Sequence, residues 1–302
     1  FSSRRRHTRF RNVTGVQTCA LPILLVAVAF VAGAWAPHAS SPSRIISLVP
    51  SVTEMLFAIG AGDRIVGVSD FDHYPPEAEK RTRVGGLLDP DFERILSLRP
   101  DLVVAYGTQS GLLERLARAS IPTFNYQHAG LADITQTIRQ VGDRVGRHDA
   151  AAALAGGIER NLEAIRAKTQ GRPKPKTLLT FERERGSLRG VYATGGIGFL
   201  HDMLEVAGGV NAFGDVKKQS VQVTSEMALT RAPEVIIEIR SGPEWTPALV
   251  TRERDVWRAL PSLPAVRSGR IYLLGEEMLS IPGPRVVQAI EKLAKVLHPE
   301  SF

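Results

Sequence analysis

Short apolar runs alternate with amphipathic stretches along the chain from Arg44 onward. Ile45–Val49 has the composition of a buried strand, and Ser51 with Glu54 has the spacing of a capping box that opens a helix through about Ile59. Further strands are predicted at 64–68, 101–106 and 123–126, with a helix at 111–119. This alternation indicates parallel strands joined by crossover helices, and therefore an α/β sheet.

One long helix is predicted in the middle of the chain. Asp149–Thr169 contains no proline and is rich in alanine, leucine, glutamate and arginine, and the sequence GRPKP at 171–175 ends it. A second series of strands follows, at 177–181, 191–193, 235–239 and 271–274, with a terminal helix at 284–297. We therefore predict two α/β lobes, residues 44–146 and 173–302, joined by a single connecting helix at 147–172.

The positive charge of the chain is concentrated near its start. The formal net charge is +7, but five of the 38 basic residues are arginines within residues 1–43, which contain no acid, so the remainder has 33 basic and 31 acidic side chains. A near-neutral body with mixed signs has no electrostatic footprint for DNA or RNA. We expect no nucleic-acid partner.

The first 39 residues have features that set them apart from the fold. Residues 1–23 follow no helix or strand period and resemble a translated sequencing adapter, with the basic start of a signal peptide as the alternative. Residues 24–39 contain the apolar run Leu24–Ala36, which is shorter than the ~20 residues that cross a bilayer and fits a signal-peptide core. The only cysteine, Cys19, precedes that run, so no lipoprotein cysteine follows it. We expect export to the periplasm.

Two short units in the two halves share a pattern. Glu93 and Glu226 are each followed seven residues later by a proline and then by an apolar strand. Each unit predicts a short helix with its glutamate in the first turn, where a carboxylate complements the helix dipole. The candidate N-caps are Asp89 or Asp91 in the first unit and Thr224 or Ser225 in the second. The two glutamates are therefore expected at related positions in the two lobes.

Several ordered motifs resemble one known family. They are Arg44–Gly67 (RIISLVPSVTEMLFAIGAGDRIVG), Tyr74-Pro75-Pro76, Asp91–Val104 (DFERILSLRPDLVV) and Leu204–Asn211 (LEVAGGVN). Together they look like the cobalamin and ferric-siderophore class of periplasmic substrate-binding proteins of ABC transporters. The resemblance implies two α/β lobes bridged by one helix, a metal chelate in the cleft between them, and one surface glutamate on each lobe that docks on the permease dimer. Glu93 and Glu226 match the docking positions.

The resemblance and the rule that ligands bind beyond the carboxyl ends of parallel strands together predict the lining of the cleft. The resemblance favours a cobalt corrinoid as the cargo. A ferric siderophore or haem is the alternative, because the positions of the family's cleft tryptophans fall near Leu87 and Ser220, where this chain has no tryptophan. We expect a monomer with no bound cofactor of its own. The expected ligand-binding residues are Pro50, Ser51, Tyr74, Tyr106, Phe181, Tyr192, Gly195, Gly196 and Glu277.

Two other classes of function are disfavoured by what the sequence contains. The histidines of the body have no HxH or HxxxH spacing, which argues against a site for a free metal ion. The chain has no GxSxG, HExxH or Walker motif, so we expect a binding protein rather than an enzyme. A chelatase on a related two-lobed scaffold is the enzyme alternative, because fold does not determine function.

Overall fold

The first lobe is a parallel sheet covered by helices. The computed structural model describes residues 41–240 and 245–302. The strands are β1 (Ile45–Ser47), β2 (Ile65–Val68), β3 (Thr82–Arg83), β4 (Leu102–Tyr106) and β5 (Thr123–Tyr126). The helices are α1 (Pro50–Ala58), α2 (Phe92–Ser97), α3 (Ser110–Arg118) and α4 (Ala132–Val145). The strand order is β3-β2-β1-β4-β5 and every pairing is parallel, as the alternating pattern predicts.

A single helix of 22 residues, α5 (His148–Thr169), leads from the first sheet to the second. Small and apolar side chains on one face of α5, among them Ala151, Ala155 and Ile158, are buried. Helix α4 ends at Gly146, whose φ of 65° is left-handed and therefore suits glycine. The long connector predicted from the alanine-rich segment is present, with its bounds shifted by one residue at the start.

The second lobe is a mixed sheet. Its strands are β6 (Lys176–Glu182), β7 (Val191–Thr194), β8 (Val210–Asn211), β9 (Ser220–Val223), β10 (Val235–Ile239) and β11 (Ile271–Leu274). Its helices are α6 (Phe199–Val206), α7 (Ser225–Arg231), α8 (Pro247–Asp255), α9 (Pro264–Arg267) and α10 (Val286–Leu297). The order is β11-β10-β6-β7-β9, with β8 beside β6. Strands β6, β10 and β11 are parallel, whereas β7 runs antiparallel to β6 and β9.

One hydrophobic cluster extends through both lobes. It includes Val104 of the first sheet, Leu162 of the connecting helix, Leu179 and Ile237 of the second sheet, and Leu293 of α10. Residues 41–302 accordingly form one compact unit. Because the two sheets share apolar contacts through α5, their relative position is fixed by packing as well as by chain connectivity.

The start of α1 differs from the sequence prediction. Val49 is the N-cap residue, Pro50 occupies the first turn, and no side chain caps the helix. Ser51 and Glu54 are both buried, so the predicted capping box is wrong. Proline is favoured in a first turn because it lacks the N–H that would otherwise need a partner. The adapter-like segment at 1–23 and the signal-peptide segment at 24–39 lie outside the described residues.

Candidate functional site: the interlobe cleft

The site begins at the carboxyl edge of the first sheet. Strand β4 ends at Tyr106 and β5 at Tyr126, with His128 two residues further on, while Tyr74 lies in the connection between β2 and β3. Parallel strands bring their carboxyl ends to one edge, so these loops share it. Tyr74 is 43% exposed and Tyr106 is partly buried, which leaves aromatic surface at this edge.

An ion pair joins the two lobes beside Tyr74. Arg285, immediately before α10 of the second lobe, donates from Nε to Glu54 Oε2 at 3.0 Å and from Nη2 to Glu54 Oε1 at 2.5 Å. Glu54 lies on α1 of the first lobe and is buried; this burial raises its pKa despite the guanidinium. The Arg285 guanidinium also lies 3.9 Å from the centroid of the Tyr74 ring. The bidentate pair therefore fixes both the lobe contact and one face of this tyrosine.

A row of aromatic rings crosses from the first lobe to the second. The ring centroids of Tyr106 and Tyr126 are 5.8 Å apart, Tyr126 is stacked on His128 at 6.2 Å, and the edge of Phe199 on α6 meets His128 at 5.5 Å. Burial raises the pKa of Tyr126 to about 12. Burial also lowers the pKa of His128, so the imidazole is neutral at pH 7.

A pocket of about 250 Å³ lies between the lobes at the end of this row; it is called the arm pocket below. The first lobe contributes residues that follow β5, and the second contributes the ends of β6 and β7, the start of β9 and the start of α6. The lining residues are His128, Ala129, Phe181, Thr194, Ile197, Gly198, Phe199, Leu200, Gln219 and Ser220. Gly198 has a φ of 98°, a backbone conformation that favours glycine, and it lies beside the Ala129 carbonyl of the first lobe.

The residues expected to bind ligand lie in different settings. Phe181 lines the arm pocket, and Tyr192 lies opposite Glu182 in the β6–β7 pairing. Glu277 begins a single turn after β11 and its charge contributes to the raised pKa of Glu54, which places it near the interlobe ion pair. Ser51 is 3% exposed and Pro50 is partly buried. At the start of α1 the proline ring is therefore more accessible to a ligand than the Ser51 hydroxyl.

Gly195 and Gly196 do not present free amides to a ligand. The N–H of Gly195 donates to the Gln219 carbonyl at 3.1 Å, and that of Gly196 donates to the Val216 carbonyl at 2.7 Å. A Cβ at Gly195 would lie 2.1 Å from the Lys218 carbonyl oxygen, so the chain itself fills the space. The amides of Gly195 and Gly196 are therefore paired within the chain, and the two glycines allow close packing of one loop against another. Contact of these residues with a ligand stays a prediction.

Sequence reasoning missed several residues at the same edge. His128, Glu54 and the exposed apolar side chains Phe71 and Leu88, which are 60% and 94% exposed, were not expected there. A large apolar side chain in a polar loop is a signal that the sequence does contain. The position of His128 could not be inferred, because one of its two ring neighbours, Phe199, comes from the other lobe.

The two candidate docking glutamates occupy corresponding positions. Asp91 caps α2 by accepting from the Arg94 amide at 2.9 Å, and Thr224 caps α7 by accepting from the Met227 amide at 3.2 Å. Glu93 and Glu226 are both exposed first-turn residues of these helices. The backbone amide and the Thr224 hydroxyl lower the pKa of Glu226, so it is ionised at neutral pH.

A larger groove of about 990 Å³ lies along the connecting helix rather than between the sheet edges; it is called the back groove below. Charged side chains from α5 line it, including Glu159, Glu163 and Arg166. Ligands of open α/β sheets bind at the carboxyl ends of strands, and the back groove is bounded by the sides of helices. We therefore assign the cleft, rather than the larger groove, as the candidate site.

Within 41–240 and 245–302, no group of three histidine, cysteine, aspartate or glutamate side chains converges as a metal site. In the same ranges no helix has both the length and the apolar character that crossing a membrane requires.

The cleft offers aromatic surface, a neutral imidazole and one interlobe ion pair. Such a lining suits a bulky organic ligand rather than a bare ion.

A two-lobed α/β molecule with a cleft over one connecting helix defines a class of ligand-binding proteins. Residues 45–278 match the model of a periplasmic binding protein family, and the chain belongs to that family. The family consists of substrate-binding proteins rather than enzymes.

Named relatives cover most of the chain. It is 28% identical over 261 residues to a vitamin B12-binding protein of Vibrio parahaemolyticus, covering 85% of this chain and 90% of that protein. It is 29% identical over 268 residues to an uncharacterized ABC transporter substrate-binding lipoprotein, YvrC, of Bacillus subtilis, covering 86% of this chain and 82% of the relative.

Solved structures share the fold. The periplasmic vitamin B12 binding protein BtuF of Vibrio cholerae superposes with a TM-score of 0.73 at 25% identity, covering 86% of this chain and 98% of that one. The periplasmic heme-binding protein RhuT of Roseiflexus sp. RS-1 superposes with a TM-score of 0.72 at 26% identity, covering 87% and 100%. The predicted two-lobed α/β fold is confirmed.

Proposed function

We propose that this protein is the extracytoplasmic substrate-binding component of an ABC importer and carries a metal chelate, a corrinoid in first place, in its interlobe cleft. The observation that carries the proposal is the accessible aromatic surface of Tyr74 and Tyr106 at the edge of the first sheet, with Phe181 of the second sheet lining the arm pocket. Large flat ligands rest on aromatic faces. The relatives named for vitamin B12 binding support the corrinoid.

Haem or another iron chelate is the second candidate. The superposition with a heme-binding protein supports it, as does the absence of tryptophan at Leu87 and Ser220 in the cleft. Tyr74 and Tyr106 present phenol rings at the sheet edge, and a porphyrin can stack on such faces as well as a corrin can.

The test is an equilibrium titration of the full chain, followed by absorbance and calorimetry, against cobalamin, cobinamide, haem and ferric siderophores. Saturable binding of one chelate with one site per chain is the expected result. If none of these compounds binds, the carrier proposal fails.

We further propose that Glu93 and Glu226 seat the loaded protein on arginines of the permease dimer. Both carboxylates are exposed and each stands at the start of a helix that leads into the strand beside the first strand of its lobe. One carboxylate on each lobe fixes the orientation over a two-fold partner. Exposed charges are also screened by salt, which suits a transient contact.

The place of action follows from this role. We propose that the chain acts outside the cytoplasm, exported through the signal-peptide core at Leu24–Ala36. Relatives named as periplasmic binding proteins, and one named as a lipoprotein, support an extracytoplasmic location. We expect the protein to work as a monomer.

A further inference from the structure

His128 is a partly buried histidine whose ring nitrogens have no hydrogen-bond partner among the described residues. Both ring nitrogens, Nδ1 and Nε2, are buried and unpaired among the described residues. Leaving a buried polar group unsatisfied destabilises a protein, and native structures contain few such groups. The neighbours of the imidazole are the rings of Tyr126 and Phe199, which hold its orientation without pairing its nitrogens. A water molecule or a bound ligand can supply the missing hydrogen-bond partner.

The imidazole forms one wall of the arm pocket. At about 250 Å³ this pocket is smaller than the ~300–1,000 Å³ that whole organic ligands occupy. It therefore has room for a projecting part of a chelate whose body lies in the open cleft against Tyr74 and Tyr106. Apolar side chains, among them Phe181, Ile197 and Leu200, line the same pocket together with the polar side chains of Thr194, Gln219 and Ser220. The pocket therefore suits an arm that has an apolar stem and a polar end.

The charges around the pocket select the kind of polar group. Asp133 accepts hydrogen bonds from the Ala129 and Gly130 amides, each at 2.7 Å, and Asp202 accepts from the Leu131 amide at 2.8 Å. Both carboxylates lie close enough to His128 to act on its titration, while burial keeps the imidazole neutral. None of the described residues that line the pocket is a lysine or an arginine. A carboxylate arm would meet two negative charges and no cation, whereas a neutral arm would not.

We propose that the arm pocket binds a carboxamide arm of the chelate, with His128 as its hydrogen-bond partner. A neutral imidazole has one donor and one acceptor, and a primary amide can satisfy either. Corrinoids carry several such amide arms around the ring, whereas haem carries carboxylates. This inference rests on the proposed function and narrows its cargo to an amide-bearing corrinoid.

The test compares dicyanocobinamide, which bears amide arms, with haem, using the full chain. His128→Phe keeps a ring of similar size and removes both nitrogens; His148→Phe changes an exposed histidine that pairs with Asp143 and is the matched control. We expect His128→Phe to bind dicyanocobinamide at least tenfold more weakly and to unfold at a higher temperature, because the unpaired polar group is gone. The control should bind as the unmodified chain does.

A second measurement covers the case in which His128→Phe fails to fold. In the ¹⁵N-histidine-labelled unmodified chain, the ring nitrogen resonances of His128 should shift on saturation with dicyanocobinamide. Unchanged resonances, or unchanged affinity in His128→Phe, overturn the inference and leave the carrier role standing. If the chain binds haem or a ferric siderophore but does not bind dicyanocobinamide, the inference fails and the carrier role stands. If no chelate binds, the inference and the carrier proposal both fail.

Discussion

At the scale of residues, a buried charge cluster holds the second lobe together. Arg183 is fully buried and contacts two buried carboxylates, with Nε 2.7 Å from Glu238 Oε1 and Nη1 2.9 Å from Glu253 Oε2. The indole N–H of Trp257 donates to Glu238 at 2.6 Å. Because Glu238 lies on β10 and Glu253 on α8, the guanidinium joins the helix to the sheet.

Removing this guanidinium should be strongly destabilising. Arg183→Met leaves two buried carboxylates without their cation, and breaking a buried pair in this way typically costs about 3–5 kcal/mol. Arg189→Met is the matched control: its pair with Glu184 has side chains 81% and 53% exposed, and such pairs contribute about 0–1 kcal/mol. Denaturant unfolding measures both, and equal losses in the two variants would contradict the role of the cluster.

Asp72 gives the stability a pH dependence. Burial raises its pKa although Ser69 donates to it, so the folded state holds the proton more tightly than the unfolded state does. Stability from this group is present below pH 3.8, its ordinary pKa, and is lost as the pH rises through the raised value. Asp72→Asn removes the titration.

The unfolding free energy of Asp72→Asn should therefore rise relative to that of the unmodified chain as the pH rises from 3.8 through the raised pKa of Asp72. Denaturation series at several pH values measure the difference between the two proteins. A constant difference across the window would show that Asp72 does not titrate as the burial implies.

Sequence reasoning located individual residues unevenly. Phe181 lies at the end of β6, where the strand pattern indicates it, whereas Tyr74 was expected from the family resemblance. Ser51 and Glu54 were misassigned, because the local capping pattern competes with a proline in the first turn and with a tertiary partner, Arg285, 231 positions away. Such a partner leaves no local signal.

At the scale of elements, the long helix α5 contains two adjacent glycines. Gly156 and Gly157 lie mid-helix, and a Cβ at Gly157 would meet only the end of the Arg160 side chain at 4.0 Å. In α4, by contrast, a Cβ at Gly142 would lie 2.2 Å from the Ala151 Cβ. Gly157 therefore has space for a methyl group, whereas Gly142 lies where α4 and α5 touch.

Alanine substitutions at these sites should act in opposite directions. Gly157→Ala should stabilise the protein by roughly 0.5–1 kcal/mol, because glycine weakens a helix interior. Gly142→Ala should destabilise it, because α4 and α5 must separate to admit the methyl group. Thermal and denaturant unfolding measure both variants. Stabilisation by Gly142→Ala would show that the helices do not pack as closely as described.

Elements were predictable where the pattern was long. The runs at β4, β10 and α5 were found with bounds close to those observed, because each buries a continuous apolar face or strand. Strands β3 and β8 have two residues each and were not predicted. Such short strands exist because a neighbouring strand pairs with them, which no local window of sequence reveals.

At the scale of the whole molecule, the two lobes share one core and present matched edges. The proposed function separates ligand binding from delivery: we propose that the cleft binds the chelate and that the exposed pair Glu93 and Glu226 contacts the permease. The separation can be tested because neither glutamate lines the arm pocket.

The double variant Glu93→Ala with Glu226→Ala should abolish chelate uptake in cells that depend on this protein, while chelate affinity stays within twofold. Removal of exposed carboxylates costs permease contacts and leaves the cleft unchanged. Glu79→Ala with Glu114→Ala, which alters two other exposed glutamates of the first lobe, is the control and should transport normally. Loss of affinity in the double variant would contradict the docking role.

The most direct measurement of the central claim is a calorimetric titration that compares the cleft with the back groove. Tyr74→Ala with Phe181→Ala alters the cleft, and Glu163→Ala with Arg166→Ala alters the back groove. The account predicts that the cleft variant binds the chelate at least tenfold more weakly and that the groove variant binds it unchanged. Loss of binding in the groove variant, with the cleft variant unaffected, would contradict the account.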